Sequence, residues 1–437
     1  MKIIPKAIEE EKIILGTLIN DCENALERLN GVENHHFYNQ HHRTIFSAIS
    51  EIIISSGDIN IHSVLQRLND DGSLDKVGGS FYITGLFDYY SLLQFQSAQE
   101  RIIEVYKRRE CREMFLRLGK DIDKRNFSEL EADIFRTLER LESNSSDGYI
   151  GIDKSVEDVV TDLKEQRITG KKPGLQSSYM ELDEMCCGFE PGDLIIIGAT
   201  TSMGKTSLAL NIGLNIAEQG YSVGFVSLEM PSSQLTQRLI AQCSKSDIQK
   251  LRNGYLSDSE MELYYEYAET VSSYPISIDA SFDNTISKII TRAKLQCKRK
   301  NLDLLIIDYL QLVKIKDKAE NRNLELGEIT SSLKQFAVKE NIPVLLLSQL
   351  NRKAAGKQPI LSELRDSGSI EQDADKIMLL WRPEKDGISE DRDGNSTEDM
   401  CFIEVAKNRN GSTGLIEMYF HSESTSFESI IKETSND

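Results

Sequence analysis

The run from Gly198 to Ser207, GATTSMGKTS, constrains the fold of this chain more than any other feature of the sequence. It follows the apolar stretch Asp193–Ile197, which is typical of a buried strand, and it precedes Leu208–Ile216, which has the apolar spacing of a helix. A loop in this setting gathers its backbone N–H groups at the N-terminus of the helix, where they bind phosphate. The sequence therefore predicts a phosphate-binding loop and, with it, a nucleotide site.

The end of this loop carries the chemistry. Lys205 is placed to reach the β- and γ-phosphate oxygens, and the hydroxyl of Thr206 is placed to bind Mg²⁺. Counting back from Gly204 puts Ala199, rather than Gly198, at the first fixed position of the loop, a variant that the motif tolerates. The predicted nucleotide-binding residues are Ser202, Met203, Gly204, Lys205, Thr206 and Ser207.

Length and charge limit the kind of protein this chain can be. Its 437 residues are enough for about two or three domains, and 39% hydrophobic with 28% charged residues is a globular composition. The net charge of −19 argues against a protein that coats duplex nucleic acid through bulk electrostatics. A small basic-lined channel that holds a single strand remains compatible with it.

The sequence also indicates a compartment. No apolar run approaches the ~18 residues of a membrane span, and the first ten residues turn acidic before a signal-peptide core can form. The 7 cysteines include no Cys-x-x-Cys pair, which argues against a zinc site or a disulfide framework. We therefore expect a cytoplasmic protein without membrane contact and with reduced cysteines.

Three segments of different composition follow one another. Residues 1–142 have helical periodicity throughout and are predicted to form an all-α N-terminal domain. The predicted helices include Ala7–Ile19, Thr44–Ile54, and a hairpin of Ala98–Arg125 with Leu130–Leu141, the last capped by Ser128. Residues 143–172 are predicted to be a linker, and residues 173–437 an α/β domain.

The predicted linker contains a short amphipathic helix, Ser155–Lys164, with Ser155 and Asp158 as a start resembling a capping box. Its apolar stripe consists of Val156, Val159, Val160 and Leu163. This stripe needs a partner surface, which is either the chain's own domains or a neighbouring subunit.

From Pro173 onward, strand runs alternate with helices, which predicts a mainly parallel sheet covered on both faces. The predicted strands are Leu194–Ile197, Ser222–Leu228, Ile276–Ile278, Leu304–Ile307, Pro343–Leu347, Lys376–Trp381, and a last hairpin of Cys401–Ala406 with Leu415–Phe420.

Polar residues at the ends of three strands are candidates for the chemistry of ATP hydrolysis. Asp308 ends an apolar strand and is predicted to hold Mg²⁺ through water. The next residue is Tyr309 rather than Glu, so the catalytic base must come from elsewhere. Glu229 closes a neighbouring strand and is the best candidate for that base, and Gln349 closes another and is placed to sense the γ-phosphate.

Lys407 and Arg409 lie two residues apart at the end of a strand, so their side chains project from one face. Their place in the last hairpin, remote from the phosphate loop, suggests that they enter a neighbour's site as an arginine finger with a lysine helper. Local sequence alone favours a solvated basic turn, and this alternative stays open.

Six motifs in order resemble the DnaB-type replicative helicases. They are Ser202–Thr206, Ser227–Pro231, Ile307–Gln311, Leu347–Arg352, Leu364–Asp375 and Ala406–Gly411. The N-terminal part is also similar, in Glu11–Gly16, Phe37–Tyr38, His42–Phe46 and Gly78–Gly79, so the resemblance covers essentially the whole chain.

The resemblance implies a homohexameric ring of RecA-like motor domains that hydrolyses ATP with Mg²⁺ between subunits and moves 5′→3′ on single-stranded DNA. It implies that Glu229 is the base, that Gln349 couples nucleotide to DNA loops, and that Arg409 is the finger assisted by Lys407. Arg365, Asp366 and Gly368 match a DNA-gripping loop, although Asp366 stands where the family more often has Glu. Lys314–Arg322 is either a second pore loop or a solvated turn.

The family's helical collar receives primase, and a helicase loader is a further possible partner. The family's linker helix bridges subunits, which favours a neighbouring subunit as the partner of the apolar stripe. The family pattern also assigns core or surface positions, rather than metal binding, to His35, His36, His41 and His42.

Two other functions remain open. One is a RecA-like recombination or repair ATPase, against which the helical N-terminal domain and the Arg365–Asp375 motif argue. The other is an ATP-switched ring assembly protein that moves no DNA.

Overall fold

A computed structural model gives the fold of the chain as two compact units, Met1–Glu157 and Asp158–Asp437. The structure describes residues 5–21, 24–29, 31–56, 59–126, 130, 133–134, 137, 141, 151–170, 172–281, 283–315, 322–351, 356–364, 368–390 and 394–430. The predicted cap Ser128 and most of the helix predicted over 130–141 therefore lie outside the described residues.

The first unit is helical, as predicted. Its helices are α1 Ile8–Asn20, α2 Ala25–Leu29, α3 Gln40–Ser56, α4 Ile61–Asp70, α5 Gly79–Gly85 and α6 Leu92–Asp121. Apolar side chains of α1, α3 and α6, such as Leu15, Ile49 and Ile102, are fully buried in one core. The long helix begins six residues before the predicted start at Ala98, because Phe95 is already buried in this core and extends the apolar face.

A buried polar network ties α1 to α3 and α5. Glu11 is 1% exposed, and its carboxylate accepts the backbone N–H groups of Tyr38 and Asn39. His42 Nδ1 lies 2.6 Å from Glu11 Oε2, and His42 Nε2 lies 2.7 Å from the Tyr82 hydroxyl. The buried carboxylate therefore has several donors beside it, which is what makes a buried charge tolerable.

His36 is a second buried histidine of this unit. Its Nδ1 accepts a hydrogen bond from Glu33 N at 3.0 Å, and its carbonyl accepts one from Arg109 Nη2 at 2.7 Å. Burial lowers the pKa of His36 to about 3, and the nearby positive charges of Arg109 and Lys107 act in the same direction. The ring is therefore neutral in the folded protein across the physiological range.

This histidine makes the first unit sensitive to acid. Because the folded pKa lies below the unfolded value of about 6.5, the stability it contributes is complete above pH 6.5 and is lost as the pH falls towards 3. We expect the unit to lose about 2 kcal/mol of unfolding free energy between pH 7 and pH 5 from this group. Calorimetry of wild-type protein and of His36→Asn measures it, with fluorescence of the single Trp381 marking the unfolding of the second unit.

His62, an exposed histidine of α4 in the same unit, supplies the control. We expect His36→Asn to flatten the dependence of stability on pH and His62→Asn to leave it unchanged. Equal slopes for wild type and His36→Asn contradict the assignment.

The helix predicted in the linker is α7, Ile152–Thr169. It begins before Ser155, whose backbone N–H already donates to Gly151 O, so the predicted start at Ser155 with its capping box is wrong. The helix begins earlier because Ile152 continues the apolar spacing of the stripe. Asp153 also places an acidic side chain in the first turn, where it is favourable. The predicted apolar stripe is 41–58% exposed at Val156, Val159, Val160 and Leu163.

In the described part of the second unit, nine strands form one sheet in the order β3-β2-β4-β5-β1-β6-β7-β8-β9. The strands are β1 Leu194–Ala199, β2 Val223–Ser227, β3 Ile276–Asp279, β4 Leu304–Asp308, β5 Val344–Gln349, β6 Lys376–Trp381, β7 Met400–Asn408, β8 Gly414–His421 and β9 Ser426–Ser429. The first six are parallel and the last three antiparallel. The predicted fold class, an all-α N-terminal part followed by an α/β domain, is confirmed.

Helices cover both faces of this sheet. They are α8 Met180–Cys186, α9 Lys205–Glu218, α10 Ser232–Ser244, α11 Ile248–Asn253, α12 Asp258–Ser273, α13 Ile286–Lys300, α14 Arg322–Glu340 and α15 Gly368–Asp373. One core joins α9, α10 and α12 to the sheet, and a second joins α13, α14 and α15 to the other face. None of the helices in the described residues combines the length and the apolar composition needed to cross a bilayer.

The prediction that the β7–β8 hairpin ends the sheet is wrong, because β9 pairs with β8 beyond it. Its four residues contain one large apolar side chain, Phe427, too weak a pattern to predict a strand. The strand forms because Phe427 packs on Phe420 of β8 and its backbone N–H donates to Asn211 Oδ1 of α9 at 2.8 Å. The sheet thereby returns to the helix that follows the phosphate-binding loop.

Candidate nucleotide site

The parallel strands bring the predicted residues to one edge of the sheet. β1, β2, β4 and β5 run in the same direction, so their carboxyl ends lie side by side. Ala199, Asp308 and Gln349 end three of these strands, and Glu229 follows the fourth. Residues of the 200–207 loop line one cavity of about 440 Å³ together with Glu229 and Gln349.

The loop between β1 and α9 requires glycine at position 204. Gly204 has φ +100°, a left-handed conformation that side chains disfavour, and α9 starts at the next residue. A Cβ at this position would also lie 3.3 Å from the ring of Phe427 and 3.5 Å from that of Phe420. The loop therefore turns directly into the helix, and the first N–H groups of a helix are the ones suited to bind phosphate.

Lys205 folds back over its own loop. Its Nζ donates to Ala199 O at 3.3 Å and lies 5.5 Å from the centre of the Tyr309 ring. Burial lowers the pKa of Lys205 to about 8, while the negative charges of Asp308 and Glu229 oppose that shift. Among the described residues no carboxylate forms an ion pair with Lys205, and an anionic ligand in the cavity would supply that partner.

Thr206 and Asp308 form the buried polar centre of the site. The Thr206 hydroxyl donates to Asp308 Oδ2 at 2.7 Å. Asp308 is 1% exposed, and burial raises its pKa. Its other oxygen, Oδ1, is buried and has no hydrogen-bond partner among the described residues.

Glu229 lies in the turn between β2 and α10. The turn is fixed by Ser227, whose hydroxyl donates to Met230 O and accepts Met230 N at 3.1 Å. Pro231 then precedes α10, so the chain reverses direction immediately after the carboxylate. Glu229 is thereby held at the mouth of the cavity, close enough to Lys205 for their charges to interact.

Gln349 is linked to the segment that follows Asp308. Its backbone N–H donates to Gln311 Oε1 and its carbonyl accepts from Gln311 Nε2, both at 3.1 Å. Gln311 lies in the short 3₁₀ helix Leu310–Leu312, and its Nε2 also donates to Ser348 Oγ at 3.0 Å. The ends of β4 and β5 are therefore joined by one amide side chain.

Four of the cavity residues lie outside every motif noted in the sequence: Arg238, Arg382, Phe420 and Thr425. Burial lowers the pKa of Arg238, which is the only charged residue of α10, so a lone charge in an otherwise uncharged helix was the available signal. The Arg382 guanidinium stacks 3.8 Å from the centre of the Phe420 ring. This pair joins the end of β6 to β8, and no sequence motif marks it.

Lys407 and Arg409 lie at the opposite edge of the sheet. β6 is parallel to β1, and β7 is antiparallel to β6, so the end of β7 lies beside the starting residues of β1 and β6. Six residues of strand, about 20 Å, separate that edge from the phosphate-binding loop. Neither residue lines the cavity of its own chain, as far as the described residues extend.

The predicted DNA-binding segment is only partly described. Arg365 and Asp366 lie outside the described residues, and Gly368 begins α15. In the other candidate loop, Lys314 N donates to Asn284 O at 2.9 Å and Arg322 begins α14, while 316–321 lie outside the described residues.

The geometry of the nucleotide site agrees with the protein family to which this chain is similar. Residues 3–104 match the DnaB-like helicase N terminal domain, and residues 174–429 match the DnaB-like helicase C terminal domain. The chain is 31% identical to "Replicative DNA helicase DnaB" of Rickettsia typhi, over 100% of this chain and 94% of that protein. It is 32% identical to the protein of the same name from Rickettsia prowazekii, over 100% of this chain and 96% of that one.

Two solved structures share the fold. A DnaB-like replicative helicase aligns with a TM-score of 0.63 at 23% identity, covering 97% of this chain and 99% of that one. A separately solved ATPase domain aligns with a TM-score of 0.59 at 27% identity, covering 65% of this chain and 100% of that one. Since both domain models match in order and the two relatives match over 94% and 96% of their length, the chain belongs to the family of DnaB-like replicative helicases.

Proposed function

We propose that this chain is a replicative DNA helicase whose identical subunits form a six-membered ring, hydrolyse ATP between subunits and move 5′→3′ on single-stranded DNA. One observation carries the proposal beyond family membership. The phosphate loop and the candidate base Glu229 line one cavity, and the buried Asp308 is hydrogen-bonded to Thr206 of that loop, whereas Lys407 and Arg409 lie at the opposite edge of the same sheet. A complete site then requires a second subunit.

ATP is placed with its phosphates on residues 202–207. Lys205 exchanges its weak contact with Ala199 for the β- and γ-phosphate oxygens, and Arg238 faces the same space from α10. Both cations are desolvated before the ligand arrives, since burial lowers both pKa values. A charge without hydration interacts more strongly with phosphate than one in water.

The residues present also fit Mg²⁺. Thr206 and Asp308 are oxygen donors in contact with each other, and Asp308 has a buried oxygen that lacks a partner among the described residues. When bound, Mg²⁺ would neutralise charge on the phosphate oxygens. Thr206 would hold it by its hydroxyl and Asp308 through water.

Glu229 supplies the base. Its carboxylate accepts the proton of the attacking water as that water's oxygen bonds to the γ-phosphorus and the bond to the β–γ bridging oxygen breaks. The residue that follows β4 cannot do this, because it is Tyr309. Gln349 senses the γ-phosphate. Its two hydrogen bonds with Gln311 transmit a displacement of Gln349 to the loop that follows Leu312.

Arg409 of the neighbouring subunit, with Lys407, completes the site by stabilising charge on the transferring phosphoryl group. The alternative of a solvated basic turn is less well supported, because both side chains donate hydrogen bonds to residues 371–375 of their own chain, which fix their orientation. The exposed apolar stripe of α7 supports the same assembly, since residues 41–58% exposed along one helix face need a surface to cover them. A neighbouring copy provides that surface.

Single-stranded DNA passes through the ring on Arg365, Asp366 and Gly368, with the segment after Lys314 as a second contact. The charge of −19 restricts such contacts to a local surface. The solved DnaB-like helicase named above was studied with its interactions with primase. We infer that the helical first unit receives primase here, that a loader protein places the ring on DNA, and that the protein works in the cytoplasm.

A strand-separation assay tests the function. Two forks carry the same duplex, one with a 5′ single-stranded tail on the tracking strand and one with only a 3′ tail. We expect ATP-dependent separation of the first and little of the second, with hydrolysis stimulated by single-stranded DNA. DNA-stimulated hydrolysis without separation supports an ATP-switched assembly protein instead, and strand exchange between homologous duplexes supports a recombination ATPase.

A further inference from the structure

The side chains of Lys407 and Arg409 are anchored on the segment that leads from the predicted DNA-gripping loop to the sheet. Lys407 Nζ donates to Ala374 O at 2.6 Å and also to Glu371 O. Arg409 Nη1 donates to Asp375 Oδ1 at 3.0 Å, and its Nη2 donates to Gln372 O. Both cations therefore hold the carbonyl end of α15, the helix that begins at the loop residue Gly368.

Asp375 is the fixed point of this arrangement. Its side chain is 8% exposed, and its Oδ2 accepts Leu194 N of β1 at 2.8 Å and Lys334 Nζ of α14 at 2.6 Å. The backbone is fixed as well, because Asp375 N donates to Leu194 O and Asp375 O accepts Arg409 N at 3.0 Å. A carboxylate held on so many sides has one position, so it fixes the guanidinium that it binds.

Arg409 retains the capacity to bind phosphate while it is held. A guanidinium has five N–H donors, and the two contacts above use one each on Nη1 and Nη2. The side chain is 46% exposed, in contrast to Asp375. The buried carboxylate of Asp375 thus orients the guanidinium of Arg409. The remaining N–H groups of that guanidinium stay available to a neighbouring subunit.

We propose that Asp375 is a positioning residue for the shared site: together with the carbonyl end of α15 it presents Arg409 and Lys407 to the neighbour's ATP, and it thereby links the DNA-gripping loop of one subunit to hydrolysis in the next. This inference rests on the proposed function, because it requires Arg409 to act in the neighbouring site. It assigns a role in the shared site to Asp375, which does not line the phosphate cavity. It also identifies residues 371–375 as the connection between the DNA-gripping loop and Arg409.

The test compares Asp375→Asn with Lys334→Met in the full-length protein. Lys334→Met removes the ion pair between Lys334 and Asp375. Asp375→Asn replaces the carboxylate that pairs with both Lys334 and Arg409, so only this change removes the ionic contact with Arg409. For Asp375→Asn we expect a fall of about 10- to 100-fold in the kcat of DNA-stimulated ATP hydrolysis with KM changed by less than about twofold, since the ATP-binding residues are intact. For Lys334→Met we expect kcat within about twofold of wild type.

A double substitution separates positioning from a general loss of structure. In protein that carries Arg409→Ala, adding Asp375→Asn should cause no further loss, because the group it positions is already absent. An additive loss, or equal losses for Asp375→Asn and Lys334→Met, overturns the inference. Asp375→Glu keeps the buried charge if the Asn variant does not fold; it should lower kcat with unchanged KM, and wild-type kcat overturns the inference.

The outcomes also distinguish this inference from the proposed function. If Arg409→Ala alone leaves kcat unchanged, the shared site fails and the role of Asp375 fails with it. If Arg409→Ala lowers kcat strongly while folded Asp375→Asn does not, the shared site stands and only the positioning role is overturned.

Discussion

Replacing Lys205 with Ala is expected to lower ATP hydrolysis by on the order of 10³-fold, because the transferring phosphates lose the cation that reaches their oxygens. The same change should leave the protein folded. In the part of the chain that the structure describes, the lysine makes one long hydrogen bond, 3.3 Å to Ala199 O, and burial, which lowers its pKa, disfavours its charge. We therefore expect the nucleotide-free variant to be at least as stable as wild type.

The measurements are steady-state hydrolysis with single-stranded DNA and thermal unfolding followed by Trp381 fluorescence. Lys339→Ala is the matched control, since Lys339 is an exposed lysine of α14 away from the cavity. Hydrolysis by the Lys205→Ala variant within tenfold of wild type refutes the assignment of the phosphate-binding loop.

Arg409→Ala should reduce hydrolysis by about 10³- to 10⁵-fold, the range measured for arginine fingers. The distinctive expectation concerns mixtures. Arg409→Ala subunits keep an intact phosphate loop, and Lys205→Ala subunits keep an intact finger. If each site combines the loop of one subunit with the finger of the next, an equal mixture regains up to about a quarter of the wild-type sites.

A site built within one chain predicts no regain, since every subunit of the mixture then lacks one component. The mixture is formed by dissociating and reassembling the two variants together, and each variant reassembled alone provides the baseline. Hydrolysis that stays at the sum of the two baselines, while reassembled wild type recovers its activity, rules out the shared site.

The sequence was sufficient where a motif is local and its setting is regular. The loop at 198–207 and Asp308 could be predicted because each lies at the end of an apolar strand, and parallel strands deliver their ends to one edge. Glu229 followed from the same rule once Tyr309 had excluded the neighbouring position. Their roles remain predictions, but the convergence of the loop and Glu229 on one cavity is now an observation.

The sequence was insufficient where contacts join distant segments. β9 forms through Phe427 on Phe420 and Asn211, and neither contact has a periodic signature. Arg238 lines the cavity because α10 lies beside the loop, and its sequence neighbours carry no motif. The anchoring of Arg409 on Asp375 joins residues 34 apart and depends on β7 returning along β6.

The most direct test of a site shared between subunits is a structure of the ring with a non-hydrolysable ATP analogue and a single-stranded oligonucleotide. We expect six subunits around one strand, with Arg409 of each subunit about 3 Å from the γ-phosphate bound at Lys205 of the next, and still in contact with its own Asp375. Nucleotide sites closed by side chains of the same chain, with Arg409 remote from every γ-phosphate, would contradict it.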